Sequence, residues 1–574
     1  MAPVACGARI HIFPAPWIQP GSSSSTSRAR HRMRGAVTCC AARSRRAVRN
    51  PSLKQQQQPQ QFSLPVDFLS SEVAIGTGGA LLLLVAAYFA VRKFSSGGGM
   101  SSRPSEEITN LEPSSPEATQ KYIQESMSRI REFSKELQTF PEADMSGRKF
   151  GDEGIKILSS SLGYNKSLEY ADFSANNITA VGSSEMRKYL RANSHLKTLN
   201  MSGNPIGDDG AGDFAGILET NGTLEKLQLN SCNISDEGAK LLANALKSNQ
   251  TLVVLELNNN TIDYPGFAAI AEALIVNKTI RGVHLNGNYG GALGALALAK
   301  GLEQNKILRE IHLHGNGMGN EGIRTLMEGL ASSKAKLSSL DIGNNSIGPK
   351  GVYYVAEYMK KSKSIQWLNL YMNDIGDEGA EKIAEALKRN KTISTIDIGG
   401  NNITAAGATH IANALKDNST ITSLEMSYNP IGGDGAKILA DTLKHNGNVQ
   451  TLRLGWCQIG VKGAAAFAEC LQYNSTMSTL DLRANGLGDE GAAILARSLK
   501  VVNETLTSLD LGFNEIRDNG AFALAQALKN NVDAAVTTLN LMNNFFTKYG
   551  KVALTEAKEH VCEVQDGKEI NIFF

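Results

Sequence analysis

One nine-residue pattern, L-x-x-L-x-L-x-x-N with aliphatic exchanges, recurs fourteen times between Leu168 and Asn544. Its closing residue falls at Asn176, Asn204, Cys232, Asn260, Asn288, Asn316, Asn345, Asn373, Asn401, Asn429, Cys457, Asn485, Asn514 and Asn544. The step is 28 residues except for 29 before Asn345 and Asn514 and 30 before Asn544. A period this strict, held over most of a 574-residue chain, predicts a solenoid. Each unit is too small to bury its own apolar face and must stack on the next. The period says nothing about what the stack would bind.

The unit that begins at Ile365 shows what one repeat must do. Ile365, Leu368 and Leu370 supply the inward side of a short strand, and Trp367, Asn369 and Tyr371 point the other way. Asn373 ends the strand, where its amide can pair backbone groups that a buried bend would orphan. Cys232 and Cys457 occupy the same slot, small and able to donate weakly through S–H, which marks them as structural. A Gly-Asp-Glu-Gly turn follows at Gly376–Gly379 and returns as Gly207-Asp208-Asp209-Gly210, Ser235-Asp236-Glu237-Gly238 and Gly488-Asp489-Glu490-Gly491. Its Asp or Ser is expected to cap the helix that follows, and acids suit the first turn. Ile383, Ala384 and Leu387 then fall on one helical face, and Asn390 stands where a left-handed C-cap is expected. Asn165, Asn221, Asn249, Asn277, Asn390, Asn418, Asn474 and Asn503 share that slot and all read N-x-Ser/Thr, the glycosylation pattern. The repeat accounts for them without sugar, as cap plus strand entry.

A stack exposes apolar faces at both ends unless caps cover them. Phe140, Ala143 and Met145, with Arg148 in the Asn slot, form a degenerate first unit. Before it, residues 116–138 read as an amphipathic capping helix with Ile123, Met127, Ile130, Phe133 and Leu137 on one side. At the other end a helix from about Lys548 to Val561 leads into an apolar strand, Ile570–Phe574. The solenoid with its terminal cap is thus expected over 139–574.

The part preceding the solenoid is of another kind. Residues 1–66 hold ten Arg and Lys and no Asp or Glu, with a serine run at Ser22–Ser25 and a glutamine run from Gln55. Basic, serine-rich and acid-free is the composition of an organelle transit peptide, and the Met-Ala start tilts it toward a plastid. Within residues 67–94, Val73–Val91 is nineteen residues without a charge, long enough to span a bilayer as one helix. Glu72 flanks one end and Arg92-Lys93 the other, which places the solenoid on the stromal side. Residues 95–115, with the Gly97–Gly99 run, read as a flexible tether. The chain has 58 basic and 56 acidic residues, so losing the ten leader basics leaves 48 against 56, a charge of −8. An acidic surface without a basic stripe argues against nucleic-acid binding. Cys232, Cys457, Cys470 and Cys562, the cysteines outside the leader, offer neither a disulfide framework nor zinc spacing, as suits a reducing compartment.

No phosphate-binding loop, G-x-S-x-G or H-E-x-x-H motif occurs, so no catalytic residue is assigned, the chain reads as non-enzymatic, and no cofactor is implied. A site is sought instead on the concave face, where parallel strands stack about 5 Å apart and align equivalent positions into columns. One column runs Asp172, Asn200, Gln228, Glu256, His284, His312, Asp341, Asn369, Asp397, Glu425, Arg453, Asp481, Asp510, Asn540. His284 and His312 are neighbours in it and His314 shares a strand with His312, which makes the three candidates for a transition metal or a pH sensor; an exposed polar ladder is the plainer reading. Aromatic residues gather on the later strands: Trp367, Tyr371, Tyr428, Trp456 and Phe513. Asp397, Glu425, Asp481 and Asp510 share that surface with Arg453 and Arg483. Rings beside charges are the composition of a protein-binding hot spot, and these eleven residues form the candidate partner site.

The 28-residue unit with its GDEGA turn and Ala/Leu helix resembles the ribonuclease-inhibitor class of leucine-rich repeats, which includes the sensor regions of NOD-like receptors and the activating protein of the Ran GTPase. The resemblance covers roughly Ala143 to Phe574. It implies an α/β leucine-rich-repeat solenoid, a horseshoe with a parallel inner sheet and outer helices. Function is not implied by the scaffold. With its leader and apolar span the chain looks like plastid-targeted plant members of the class. That likeness implies a membrane-tethered interaction scaffold binding one or more proteins, with a role in plastid or embryo development; the alternative implied is a GTPase regulator.

Overall fold

The computed structural model describes residues 139–574 apart from 150, 502, 532–534 and 565–568, together with six positions between 128 and 137. The residues read as leader, span and tether lie outside that set. Among the described residues no helix is long and apolar enough to cross a membrane.

Among the described residues, sixteen strands of three residues each, from β1 (Glu142–Asp144) to β16 (Asn571–Phe573), form one sheet in strict sequence order. Fifteen helices, from α1 (Gly151–Tyr164) to α15 (Lys548–Val564), alternate with them. All pairings are parallel and one repeat apart, as in Thr395↔Ser423, Ile396↔Leu424 and Asp397↔Glu425. The expected α/β leucine-rich-repeat solenoid is therefore what the chain forms. The central residue of each strand is buried: Leu368, Ile396, Leu424, Leu452 and Leu480 are at most 1% exposed. The facing helix Gly376–Arg389 adds Ile383, Ala384 and Leu387 to the same spine. Each such fully buried aliphatic contributes roughly 1.5–3 kcal/mol, so a few per coil suffice because every coil repeats them.

Hydrogen bonds between coils fix the stacking. Asn429 is 1% exposed. Its Oδ1 accepts the N–H groups of Asn401 at 2.9 Å and Ile403 at 3.0 Å, one repeat back, while Nδ2 donates to Ile398 O at 3.0 Å and Met426 O at 2.8 Å. The two cysteines in this row donate instead, Cys232 Sγ to Met201 O at 3.3 Å and Cys457 Sγ to Met426 O at 3.4 Å. Burial pushes both thiols up to about 12, so neither is a nucleophile at neutral pH. Their tolerance has a cause one repeat earlier. Pro205 and Pro430 follow the preceding ladder Asn, and there Ile206 N and Ile431 N donate to Asn204 O at 2.8 Å and Asn429 O at 2.7 Å. With that N–H already paired, the next slot has one buried donor to satisfy where an Asn elsewhere in the row has two.

Two expectations need correction. Asn390 is not left-handed: it sits at φ −72, ψ 133, extended. It belongs to a second ladder, in which Nδ2 reaches back to Met359 O at 2.8 Å and Oδ1 accepts from Thr392 N and Ile393 N at 2.9 and 2.8 Å. The eight N-x-Ser/Thr asparagines named for this slot lie in this row and are buried, from 1% exposed at Asn165 to 6% at Asn221 and Asn249. At these eight positions the nitrogen a sugar would need is enclosed in the folded chain. Nor does the turn Asp cap its own helix. The helix beginning at Gly376 has no side-chain cap. Asp377 caps the next one, accepting Thr404 N at 2.8 Å and Gly407 N at 2.9 Å. The second glycine of the turn follows from this contact, since a Cβ on Gly407 would stand 2.5 Å from Asp377 Oδ1.

At the ends, β1 pairs with Tyr170–Asp172 and β16 with Thr538–Asn540. The described positions between 128 and 137 are helical, with Ile130, Ser134 and Leu137 buried, and Ser134 Oγ hydrogen-bonded to Ser161 Oγ.

Candidate functional site

The solvent side of the sheet carries two ring clusters, and the register explains both. Residues one repeat apart are neighbours across strands, so rings at equivalent positions meet. In the first cluster His284 stacks on His312 with centroids 4.1 Å apart and planes at 12°, and Trp367 tilts against His312 at 5.5 Å. The expected trio of imidazoles does not form. His314 turns toward Tyr371, 6.5 Å away, with its Nδ1 3.5 Å from Asp341 Oδ1. Glu310, which sequence reasoning missed, takes its place: ligand atoms of His284, Glu310 and His312 lie within 4.8 Å of one another. Glu310 sits two positions before His312, on the same strand face, and that spacing was the available signal. His284 Nε2 is buried without a hydrogen bond among the described residues, 3.7 Å from Glu310 Oε2. His312 bonds Ser339 Oγ at 3.0 Å, and burial with the neighbouring His284 lowers its pKa to about 4.

That depression has a consequence for stability. The unfolded imidazole takes its proton near the ordinary 6.5 and the folded one near 4, so the contribution is present above 6.5 and lost as pH falls toward 4. His284, Glu310, Asp341 and Glu256 are the other titratable groups acting on this ring. Between pH 6.5 and 4, the Tm of the native chain should fall more steeply than that of His312→Gln. Parallel curves would mean the ring is not held neutral.

The second cluster is a continuous ribbon. Tyr371 meets Tyr428 edge-on at 6.3 Å, Tyr428 stacks on Trp456 at 6.0 Å and 10°, and Trp456 tilts against Phe513 at 6.2 Å. Trp367 belongs to the histidine cluster instead. Tyr428, Trp456 and Phe513 stay 51%, 47% and 49% exposed, so they are not core residues that merely face the sheet.

Their backbone is the less ordinary feature. All three are left-handed, with φ of 61, 60 and 59. The same position is left-handed in every repeat: it holds Gly203, Gly287, Gly315 and Gly400 and Asn259, Asn344 and Asn543, which accept this conformation readily, and also Ala175, Ser231, Met372 and Ala484. A bulky side chain there costs about 1–2 kcal/mol.

Charge lines the ribbon's inner edge. Arg483 Nε donates to Asp481 Oδ2 at 2.7 Å and stands 3.7 Å from Asp510 Oδ2. Arg453 Nε lies 3.9 Å from Glu425 Oε2. Asp397 accepts a hydrogen bond from Gly399 N at 2.9 Å, and no cation stands within ion-pair distance of it among the described residues. Burial, then the adjacent Glu425, raise the Asp397 pKa to about 7. Glu425 is raised by the same causes in its own setting, burial first and Asp481 after it.

The position two past each strand supplies a floor. It runs His314, Gly343, Tyr371, Gly399, Ser427, Gly455, Arg483, Gly512 and Met542. Three consecutive small residues, Gly399, Ser427 and Gly455, leave a hollow between Tyr371 and Arg483. A Cβ on Gly399 would meet Tyr371 Cδ2 at 3.1 Å, and one on Gly455 would meet Arg483 Cγ at 2.9 Å, so the large flanking side chains lean over the glycines. The hollow has a volume of about 190 Å³ and is lined by Tyr371, Asp397, Glu425, Tyr428, Trp456 and Arg483 among others. That run of small residues is legible in the sequence once the column is written out.

Eleven segments match the family model described as leucine rich repeat: residues 192–215, 220–243, 248–271, 304–327, 333–356, 361–384, 389–412, 417–440, 445–468, 473–496 and 502–525. Comparison with curated proteins gives no match. Solved structures with a similar fold include the yeast Rad7 and Elc1 complex, 14% identical over 68% of this chain and 84% of that one, with a TM-score of 0.37. An internalin, inlF, from Listeria monocytogenes is 18% identical over 74% of this chain and 87% of its own, at 0.31. Actin-binding site 2 of Leiomodin-1 is 22% identical over 25% of this chain and 86% of its own, at 0.23. Likeness at these scores carries no argument about this chain.

Proposed function

We propose that this leucine-rich-repeat protein is a non-enzymatic scaffold that docks a protein partner on the ribbon Tyr371, Tyr428, Trp456 and Phe513, tethered to a plastid membrane through Val73–Val91. The left-handed backbone at Tyr428, Trp456 and Phe513 carries the docking part. Glycine or asparagine fills seven of the fourteen left-handed slots and small residues or Met372 four more, so three half-exposed rings there are the bulkiest occupants and cost stability relative to glycine or asparagine. Strain of this sort gathers where a surface is used, and large rings burying against a partner are what hot spots employ. Asp397, Glu425, Arg453, Asp481, Arg483 and Asp510 beside the rings set the register of the partner. The tether and the plastid rest on the acid-free leader and the uncharged nineteen-residue stretch.

The test is proximity labelling in isolated plastids with the full chain and with a Tyr428→Asn, Trp456→Asn, Phe513→Asn triple variant. Asparagine keeps the left-handed backbone comfortable, as at Asn259 and Asn543. The triple variant should stay in the same membrane fraction, melt at the same temperature or higher, and lose most labelled neighbours. An unchanged set of neighbours would refute docking on the ribbon, and recovery of the full chain in the soluble plastid fraction would refute the tether.

A further inference from the structure

We propose that the hollow between Tyr371, Tyr428 and Trp456 receives an arginine side chain of the partner. This deepens the docking reading and rests on it. The walls are π faces: Tyr428 and Trp456 are stacked 6.0 Å apart, and Tyr371 stands edge-on to Tyr428 at 6.3 Å. The inner edge is acidic, with Asp397 and Glu425 adjacent in register and both lining the hollow. Aromatic faces over carboxylates select a cation, and a planar guanidinium can stack on a ring while forking to two acids. The charges already present leave room for one. Asp341, Asp397, Glu425, Asp481 and Asp510 face Arg453 and Arg483 in this stretch, five acids against two cations. Arg483, which lines the hollow, is committed to Asp481, and Arg453 reaches only Glu425. Among the described residues Asp397 is left without an ion-pair partner, and burial and Glu425 raise its pKa to about 7. The size of the hollow, about 190 Å³, suits the head of one side chain and not an apolar helix face.

Binding of a cation should therefore expel the Asp397 proton and strengthen as pH rises. The experiment measures fluorescence anisotropy of two labelled Gly/Ser pentapeptides, one with a central arginine and one with its neutral isostere citrulline, against the full chain. At pH 8 the arginine peptide should bind about fivefold or more tightly than the citrulline peptide. The preference should shrink at pH 6. In an Asp397→Asn, Glu425→Gln double variant, isosteric and so expected to fold, it should vanish. Equal affinity of the two peptides for the native chain, no binding of either at millimolar concentration, or a preference that survives the double variant would each overturn the proposal. These outcomes separate from those above: neighbours lost in the ring variant together with equal peptide affinities would leave docking standing and remove the arginine pocket.

Discussion

Asn429→Leu should be among the most damaging single changes in the solenoid, lowering the unfolding free energy by about 4 kcal/mol. Leucine fills the space but offers nothing to the N–H groups of Asn401 and Ile403, which now donate to Asn429 Oδ1 at 2.9 and 3.0 Å. Each buried donor left unpaired costs about 1–3 kcal/mol; the carbonyl of Ile398 loses this donor as well, and that of Met426 keeps the weak S–H of Cys457. Because coils contact only their neighbours, the damage should be local, and amide exchange should quicken in the repeats around 401–429 before the far ends. The partial rescue is equally specific. Asn429→Cys should recover part of the loss and no more, because residue 402 is a left-handed asparagine and no proline turn pairs the Ile403 N–H internally. Cys232→Asn should be nearly neutral, since Pro205 already lets Ile206 N bond Asn204 O at 2.8 Å. Urea denaturation of the full chain decides it: a loss under about 1 kcal/mol for Asn429→Leu would mean that the ladder is not what holds neighbouring coils together.

Asp397→Asn should do the opposite, stabilising the chain at pH 8 while weakening its preference for an arginine peptide. The folded carboxyl has a pKa of about 7 against an ordinary 3.8, through burial first and Glu425 second, with Asp341 adding to the repulsion and Arg453 opposing it. A raised carboxyl makes its favourable contribution below 3.8, and loses it as pH climbs through 7. Asparagine removes that loss, so the variant's Tm should exceed the native value at pH 8 and converge on it near pH 4. A native chain that is equally stable to the variant across this range would show that Asp397 carries no unbalanced charge. A residue whose removal strengthens the fold and weakens binding is placed for the partner and not for packing.

How far the chain could be read in advance differs by element. The strands, the buried Leu368, Ile396 and Leu424, the Asn row and the closing strand at Asn571–Phe573 were visible because period and side-chain type are local properties. The ribbon was found in outline: Tyr371, Tyr428, Trp456 and Phe513 do meet, and Trp367 does not join them. Asp377 and Asn390 were misassigned for one reason. Both were read within their own repeat, while their hydrogen bonds run to Thr404 and Gly407 in one direction and to Met359 in the other. His314 was grouped with its strand-mate His312, but it leans over Gly343 toward Tyr371, and Glu310 fills the vacancy.

By itself, then, the sequence determined the coil: its length, its buried spine, its parallel order and the residues lined up along its inner wall. Those follow from burying one aliphatic set per 28 residues, which a linear string displays directly. Tertiary structure alone decided which backbone groups each Asn and Asp satisfies, that three rings sit on left-handed backbone, and that Gly399, Ser427 and Gly455 open a hollow beside an Asp397 with no ion pair among the described residues. These are contacts between coils, set by the lean of a side chain across its neighbour, and that direction appears only once the coils are stacked.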